Sequence, residues 1–234
     1  MEQRTIRVTG EGKVSARPDT IELKLDMTDV CKEYAEALEE SVRRTQALRE
    51  CMAAAGLEGD DLRTVNFYVR AEYDTEYVTE RENLLKKTTK TEQVLKGYRF
   101  SHSLKISFPV DNELLGRVLG ELSRSKTGAR FDFNFTVKDP APLRAALLDD
   151  AARVCCANAQ TLATASGAEL GEVIGIDYSW RRLDIYSHPL NLELMDMDCS
   201  YDMSDESASI SLPIDVNPEN IELAESVTIT WALK

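Results

Sequence analysis

The side chains best suited to chemistry in this sequence are few and scattered. The densest set is Met195-Asp-Met-Asp-Cys199-Ser-Tyr-Asp202-Met203-Ser-Asp205-Glu206, where thioether, thiol and carboxylate donors follow one another. Such donors together suit a soft or mixed metal, but the spacing and the glycine of a calcium loop are missing. The plainer expectation is a solvated, irregular acidic loop over 188–209. Only two histidines occur. His102 lies mid-strand between Ser101 and Ser103, His188 precedes Pro189, and neither has a cysteine or carboxylate at ligand spacing. Cys155-Cys156 falls in a helical stretch, where small buried hydrophobes are expected and redox sensing is the sharper alternative. Gly10-Glu11-Gly12 lacks the third glycine and the Lys-Ser pair of a phosphate loop, and reads as a turn between two strands. No Gly-x-Ser-x-Gly elbow supports a Ser-His-Asp hydrolase. The expected catalytic, cofactor-binding and metal-ligating sets are all empty.

The elements around these residues follow from periodicity. Leu143, Leu147, Ala151, Val154, Asn158, Leu162 and Ala165 recur at helical steps, between an Asp139-Pro140 start and a Ser166-Gly167 stop. Their stripe predicts a long helix with one polar seat at Asn158. Before it, Phe131, Phe133, Phe135 and Val137 alternate with polar residues as in a half-buried strand. A second long helix is predicted from Tyr34, Leu38, Val42, Thr45, Leu48, Met52 and Ala55, stopped by Gly56. Asp111 should cap a shorter helix with Leu114, Leu115, Val118, Leu119 and Leu122 facing inward. Strands are expected at Ile6 to Val8, Ile21 to Met27, Leu62 to Tyr77, Val94 to Phe108, Val173 to about Tyr186, and Val227 to Leu233. Glu80–Lys90 reads as a hairpin tip, with Lys86, Lys87 and Lys90 guarding a sheet edge.

Two segments share one layout: Ile21–Val69 and Phe131–Trp180 each read strand, long helix, stopping glycine, strand. The expected class is therefore α+β, with duplicated β-α-β units. Its two long helices would lie on one shared antiparallel or mixed sheet, beside one shorter helix. The whole chain, 1–234, is expected as a single domain, divisible into β-α-β halves 1–110 and 111–234.

A chain of 234 residues can bury a full core. Its net charge of −13 is concentrated late: from Leu183 onward there are eleven acids and one base. The rest is nearly neutral, so no basic surface exists for a phosphate backbone and nucleic acid is excluded as a partner. No run of eighteen apolar residues predicts a transmembrane helix. The first ten residues alternate like a strand and lack the apolar centre of a secretory signal. With five cysteines, an odd number, reduced thiols and a cytoplasmic setting are expected. A trimmed N-terminus would instead allow a periplasmic or envelope location.

Four stretches resemble one family in the right order. Ile6-Arg-Val-Thr-Gly-Glu-Gly-Lys-Val-Ser-Ala-Arg-Pro18-Asp19 is similar to the N-terminal motif of the SIMPL-domain family. Gly97-Tyr98-Arg-Phe100-Ser-His-Ser-Leu104 resembles its central strand, and Ala145–Gly171 its second helix and turn. Pro213-Ile214 with Glu225-Ser-Val-Thr-Ile-Thr-Trp231 resembles its closing strand. The resemblance implies a bacterial protein of unknown function, in a family with exported members, envelope antigens and links to oxidative stress. At least one member forms a large ring, so a homo-oligomer is implied. It supplies no catalytic residue. The expected function is non-enzymatic, through assembly or partner binding. The alternatives are a small-ligand or metal binder or unrecognised enzyme, and, more weakly, a thiol sensor.

Overall fold

The computed structural model describes residues 4–83, 86–125, 127–178, 185–187 and 216–234, with side chains at 76–90 and 92 outside that description. The acidic loop with its Met-Asp-Cys donors, His188 and Cys199 lies outside the described residues, as do the side chains of Lys86, Lys87 and Lys90.

In chain order the elements are β1 (Thr5–Ala16), β2 (Thr20–Cys31), α1 (Tyr34–Ala55), β3 (Arg63–Asn83), β4 (Lys86–Pro109) and α2 (Asn112–Arg124). Then come β5 (Arg130–Thr136), α3 (Ala141–Ala165), β6 (Leu170–Asp177) and β7 (Ile221–Leu233). This is an α+β chain with the expected strand-helix-strand order repeated as β2-α1-β3 and β5-α3-β6. It has two sheets where one shared floor was expected: β1-β7-β6 and β3-β4-β2-β5. β2 and β3 share a sheet, whereas β5 and β6 lie in different ones.

The chain forms two compact units and, among the described residues, passes between them at Ile21/Glu22 in β2, Phe133/Asn134 in β5 and Val216/Asn217 before β7. In the first unit, α3 packs on β1 and β7. Val8, Ala151, Cys155, Ala159, Val227, Ile229 and Trp231 form one buried cluster, and Leu147, Ile185, Ile221 and Leu223 another. Pro140 is the N-cap of α3, and the Asp139 carboxylate just before it accepts from the Ala141 N–H at 3.0 Å. Gly167, at φ 72°, closes the helix in the left-handed conformation that only glycine adopts without strain.

Two expectations fail in this unit for one reason. β1 runs straight through Gly10-Glu11-Gly12 instead of turning there, and neither glycine has a positive φ. A Cβ on Gly10 would lie 2.4 Å from the Cys155 nitrogen, and one on Gly12 would lie 2.4 Å from the Ala151 nitrogen. The two glycines let the helix backbone rest on the strand backbone. The buried row of α3 is correspondingly Leu147, Ala151, Cys155, Ala159 and Ala163, at steps of four. The predicted stripe through Asn158 and Leu162 misplaced the face, since both are exposed. Size, more than hydrophobicity, selects the face when backbones approach this closely.

In the second unit α1 lies on β3 and β4 and beside α2. Leu48, Met52 and Ala55 are buried as expected, and Gly56 (φ 95°) ends the helix. Tyr34 and Val42 are exposed, and Ala37 and Ser41 take the inner positions. Asp111 caps α2 by accepting from the N–H groups of Glu113 and Leu114. Arg117 of α2 donates to the Ala55 carbonyl at 3.2 Å, satisfying an end carbonyl of α1. β4 turns Phe100, Leu104, Ile106 and Phe108 into the core, and sends Arg99, Ser103 and Lys105 to the polar face.

The β3–β4 ladder continues to Asn83 opposite Lys86. The ladder therefore runs through the described residues of the stretch expected as a hairpin tip, Glu80–Lys90. Threonine at 75, 79, 88, 89 and 91 favours extended backbone, and a ladder satisfies its own polar groups without an apolar face. β6 ends at Asp177, short of Tyr186. β7 is longer than expected, pairing with β1 from Ile221 opposite Ala16 to Ala232 opposite Thr5.

Candidate functional site

Two features of the described surface go beyond core and solvated face. The first is built around His102, in the seam between α1 and the β3–β4 pair. The inward alternation of β4 that buries Phe100 and Leu104 also turns the imidazole inward, leaving it 9% exposed. Ser41 and Thr45, one turn apart on α1, approach its Nδ1 at 3.0 and 3.2 Å. Thr64 of β3 approaches Nε2 at 2.9 Å. The Thr45 hydroxyl also donates to the Ser41 carbonyl at 2.8 Å. Both ring nitrogens therefore have hydroxyl partners, in directions set by the tautomer of the ring. Phe67 meets the ring edge-on, centroids 4.9 Å apart. Among the described residues no carboxylate touches it, and burial holds its pKa below the ordinary histidine value.

Above this seam lies a surface groove of about 400 Å³, lined among others by Leu38, Val42, Phe67, Gln46 and Arg49. Ser41 is 2% exposed, and among the described residues nothing acidic orients the imidazole as in a Ser-His-Asp arrangement. Sequence reading placed His102 on its strand but missed Ser41 and Thr64. The available signal was the Ser41–Thr45 pair, a polar notch in the stripe that continues as Leu48, Met52 and Ala55.

The second feature is the side of β6 that pairs with no described strand. This edge strand carries Val173, Ile174 and Ile176 at 52%, 51% and 64% exposure, apolar residues on both of its faces. Edge strands are ordinarily shortened, charged or covered. On the other sheet the edge strand β3 exposes Val65 and Tyr73.

The remaining candidates separate. Cys155 is buried and its Sγ donates to the Val8 carbonyl at 3.1 Å; burial pushes its thiol pKa up. Its neighbour Cys156 is exposed, so only the first has the expected buried role. Burial likewise raises Cys31 and Cys51, so neither is an activated thiolate. Among the described residues, no three His, Cys, Asp or Glu side chains converge as a metal would require. No described helix is long and apolar enough to cross a membrane.

The family profile of SIMPL, described as proteins of unknown function (DUF541), matches residues 6–231. The chain belongs to the SIMPL family. It is similar to the 26 kDa periplasmic immunogenic proteins of Brucella melitensis and Brucella abortus, each 30% identical over 177 residues. The match covers 73% of this chain and 65% of those relatives, just under two thirds of their length. The motifs carrying the SIMPL resemblance have structural roles here. Gly10 and Gly12 seat α3 on β1, and Val227, Ile229 and Trp231 floor the same core.

Proposed function

We propose that this SIMPL protein works by assembling with further copies of itself, not by catalysis. The observation that carries the reading is β6, whose second edge pairs with no described strand and is flanked by exposed Val173, Ile174 and Ile176. A second strand docking there would satisfy the edge N–H and C=O groups and remove those side chains from water. At about 25 cal/mol per Å² of apolar surface, a handful of such side chains on each partner stabilises contact appreciably. An isologous pairing of this edge closes a dimer, and a second edge such as β3 permits larger closed rings. His102, whose polar atoms are all engaged by hydroxyls, supports a non-catalytic role.

In the same reading the chain works in the cell envelope, an assignment supported by the periplasmic description of the Brucella relatives. The test is sizing of the wild-type chain beside Ile174→Lys/Ile176→Lys. The wild type should elute as a multiple of the 26.2 kDa protomer, and the lysine variant as a folded protomer. An unaltered assembly in that variant would remove β6 from the interface.

A further inference from the structure

β3 and β4 continue together well past the sheet in which they are rooted. β2, which borders β4, ends at Cys31, beside Gly97, where a Cβ would run into the Cys31 carbonyl. From there the two strands go on as a pair, from Tyr73 opposite Leu95 to Asn83 opposite Lys86. No described strand borders either of them along this arm. At ~3.4 Å per residue the arm is about 34 Å long. At its root Tyr73, Val94 and Leu95 are exposed, and so is every other described side chain of the arm. A two-stranded ribbon without a covered face is only marginally stable in water, so this arm gains from a further strand.

The two strands of the arm differ in charge. Residues 73–83 hold four acids and one base, and residues 86–96 hold four bases and one acid. Acid and base set directly opposite each other would hold the ribbon itself together, but the register makes no such pair. It sets Glu76 opposite Glu92 and Arg81 opposite Lys87, and leaves Glu80 opposite Thr88 and Lys90 opposite Val78. The charges therefore divide between the two strands without meeting across the ladder. Each strand also has an outer edge of backbone N–H and C=O groups. Pairing β3 with β3, or β4 with β4, would bring like charges together, whereas pairing β3 with β4 brings opposite ones.

We propose that the acidic β3 edge of this arm adds to the basic β4 edge of the arm on a second copy of the chain. The backbone groups supply the attachment and the charges select the edge. Each copy offers both edges, so the contact is heterologous and continues from one copy to the next. The lysines at 86, 87 and 90, expected to guard an edge, then bar a second β4 edge and admit a β3 edge. This inference deepens the assembly reading and rests on it. Exposed ion pairs are weak singly, so the arms join pairs already closed through β6, each of which presents two arms at once.

The test is light scattering on the full chain at neutral pH, with the charge of one strand reversed at a time. Glu76→Lys/Glu80→Lys reverses β3, and Lys87→Glu/Lys90→Glu reverses β4. The wild type should exceed two protomers in mass, and each reversed protein alone should fall to two. An equimolar mixture of the reversed proteins should return to the wild-type mass, because each altered edge then meets its opposite on the other protein. Salt at about 1 M should bring the wild type down to two protomers, since it screens exposed charges. A wild-type mass in either reversed protein alone overturns the proposal. A mixture that stays at two protomers also overturns it, because the charges then act within one ribbon. A wild type of two protomers overturns the arm contact and leaves the β6 reading standing, whereas a wild type of one protomer overturns both.

Discussion

The backbone nitrogen of Cys155 lies 2.4 Å from the place where a Cβ on Gly10 would stand. Helix and strand are in backbone contact there, with the Cys155 thiol donating to the Val8 carbonyl two residues earlier in β1. Neither backbone can yield without displacing the clusters on both sides of it. Gly10→Ala should therefore destabilise the protein by about 3 kcal/mol, the upper part of the overpacking range, read as a fall in urea midpoint with unchanged slope. Gly56→Ala is the contrast. No atom lies within 4 Å of its Cβ, but φ is 95°, so the backbone term alone should cost about 1 kcal/mol.

Stability should depend on pH in two separate windows. Hydrogen bonds from Arg43 and then Arg44 pull the Glu40 carboxyl from 4.5 down to about 2. A depressed folded-state pKa gives stability that is complete above 4.5 and lost as pH falls from there toward 2. Glu40 keeps 22% of its side chain in water, so screening limits the loss to about 1 kcal/mol. His102 acts higher. Burial lowers its folded pKa below 6.5, the unfolded chain binds the proton first, and stability should decline as pH drops below 6.5. Urea denaturation across pH checks both: Glu40→Gln should shrink the acid limb, to which Glu72 beside Arg99 also contributes, and His102→Gln should remove the upper one.

Ser41→Ala should cost about 1 kcal/mol, because Nδ1 of His102 loses the nearer of its two hydroxyl partners in a buried site. Thermal unfolding measures this. Ser41→Thr adds a methyl to a site 2% exposed and should not restore wild-type stability.

The parts legible from sequence are those set by local periodicity and caps. The ends of α1 at Gly56 and of α3 at Gly167, the Asp111 cap of α2, and the inward alternation of Phe100, Leu104, Ile106 and Phe108 all follow from residue type and spacing. What escaped was set by distant partners. Gly10 and Gly12 look like turn residues until α3 is laid on them. Leu162 and Asn158 were assigned inward because hydrophobicity at step 3.6 ignores how close the opposing backbone comes. His102 was visible as a residue, but Ser41, Thr45 and Thr64 reach it from 38 to 61 positions away. That one side of β6 pairs with no described strand was hidden for the same reason, since a strand's place in the sheet order is not a local property.

The most direct measurement is the mass of the wild-type chain by light scattering across a wide concentration range, at neutral pH. Assembly through the β6 edge predicts a stable multiple of 26.2 kDa that collapses to one protomer in Ile174→Lys/Ile176→Lys. A mass that stays at a single protomer at the highest concentration would contradict it.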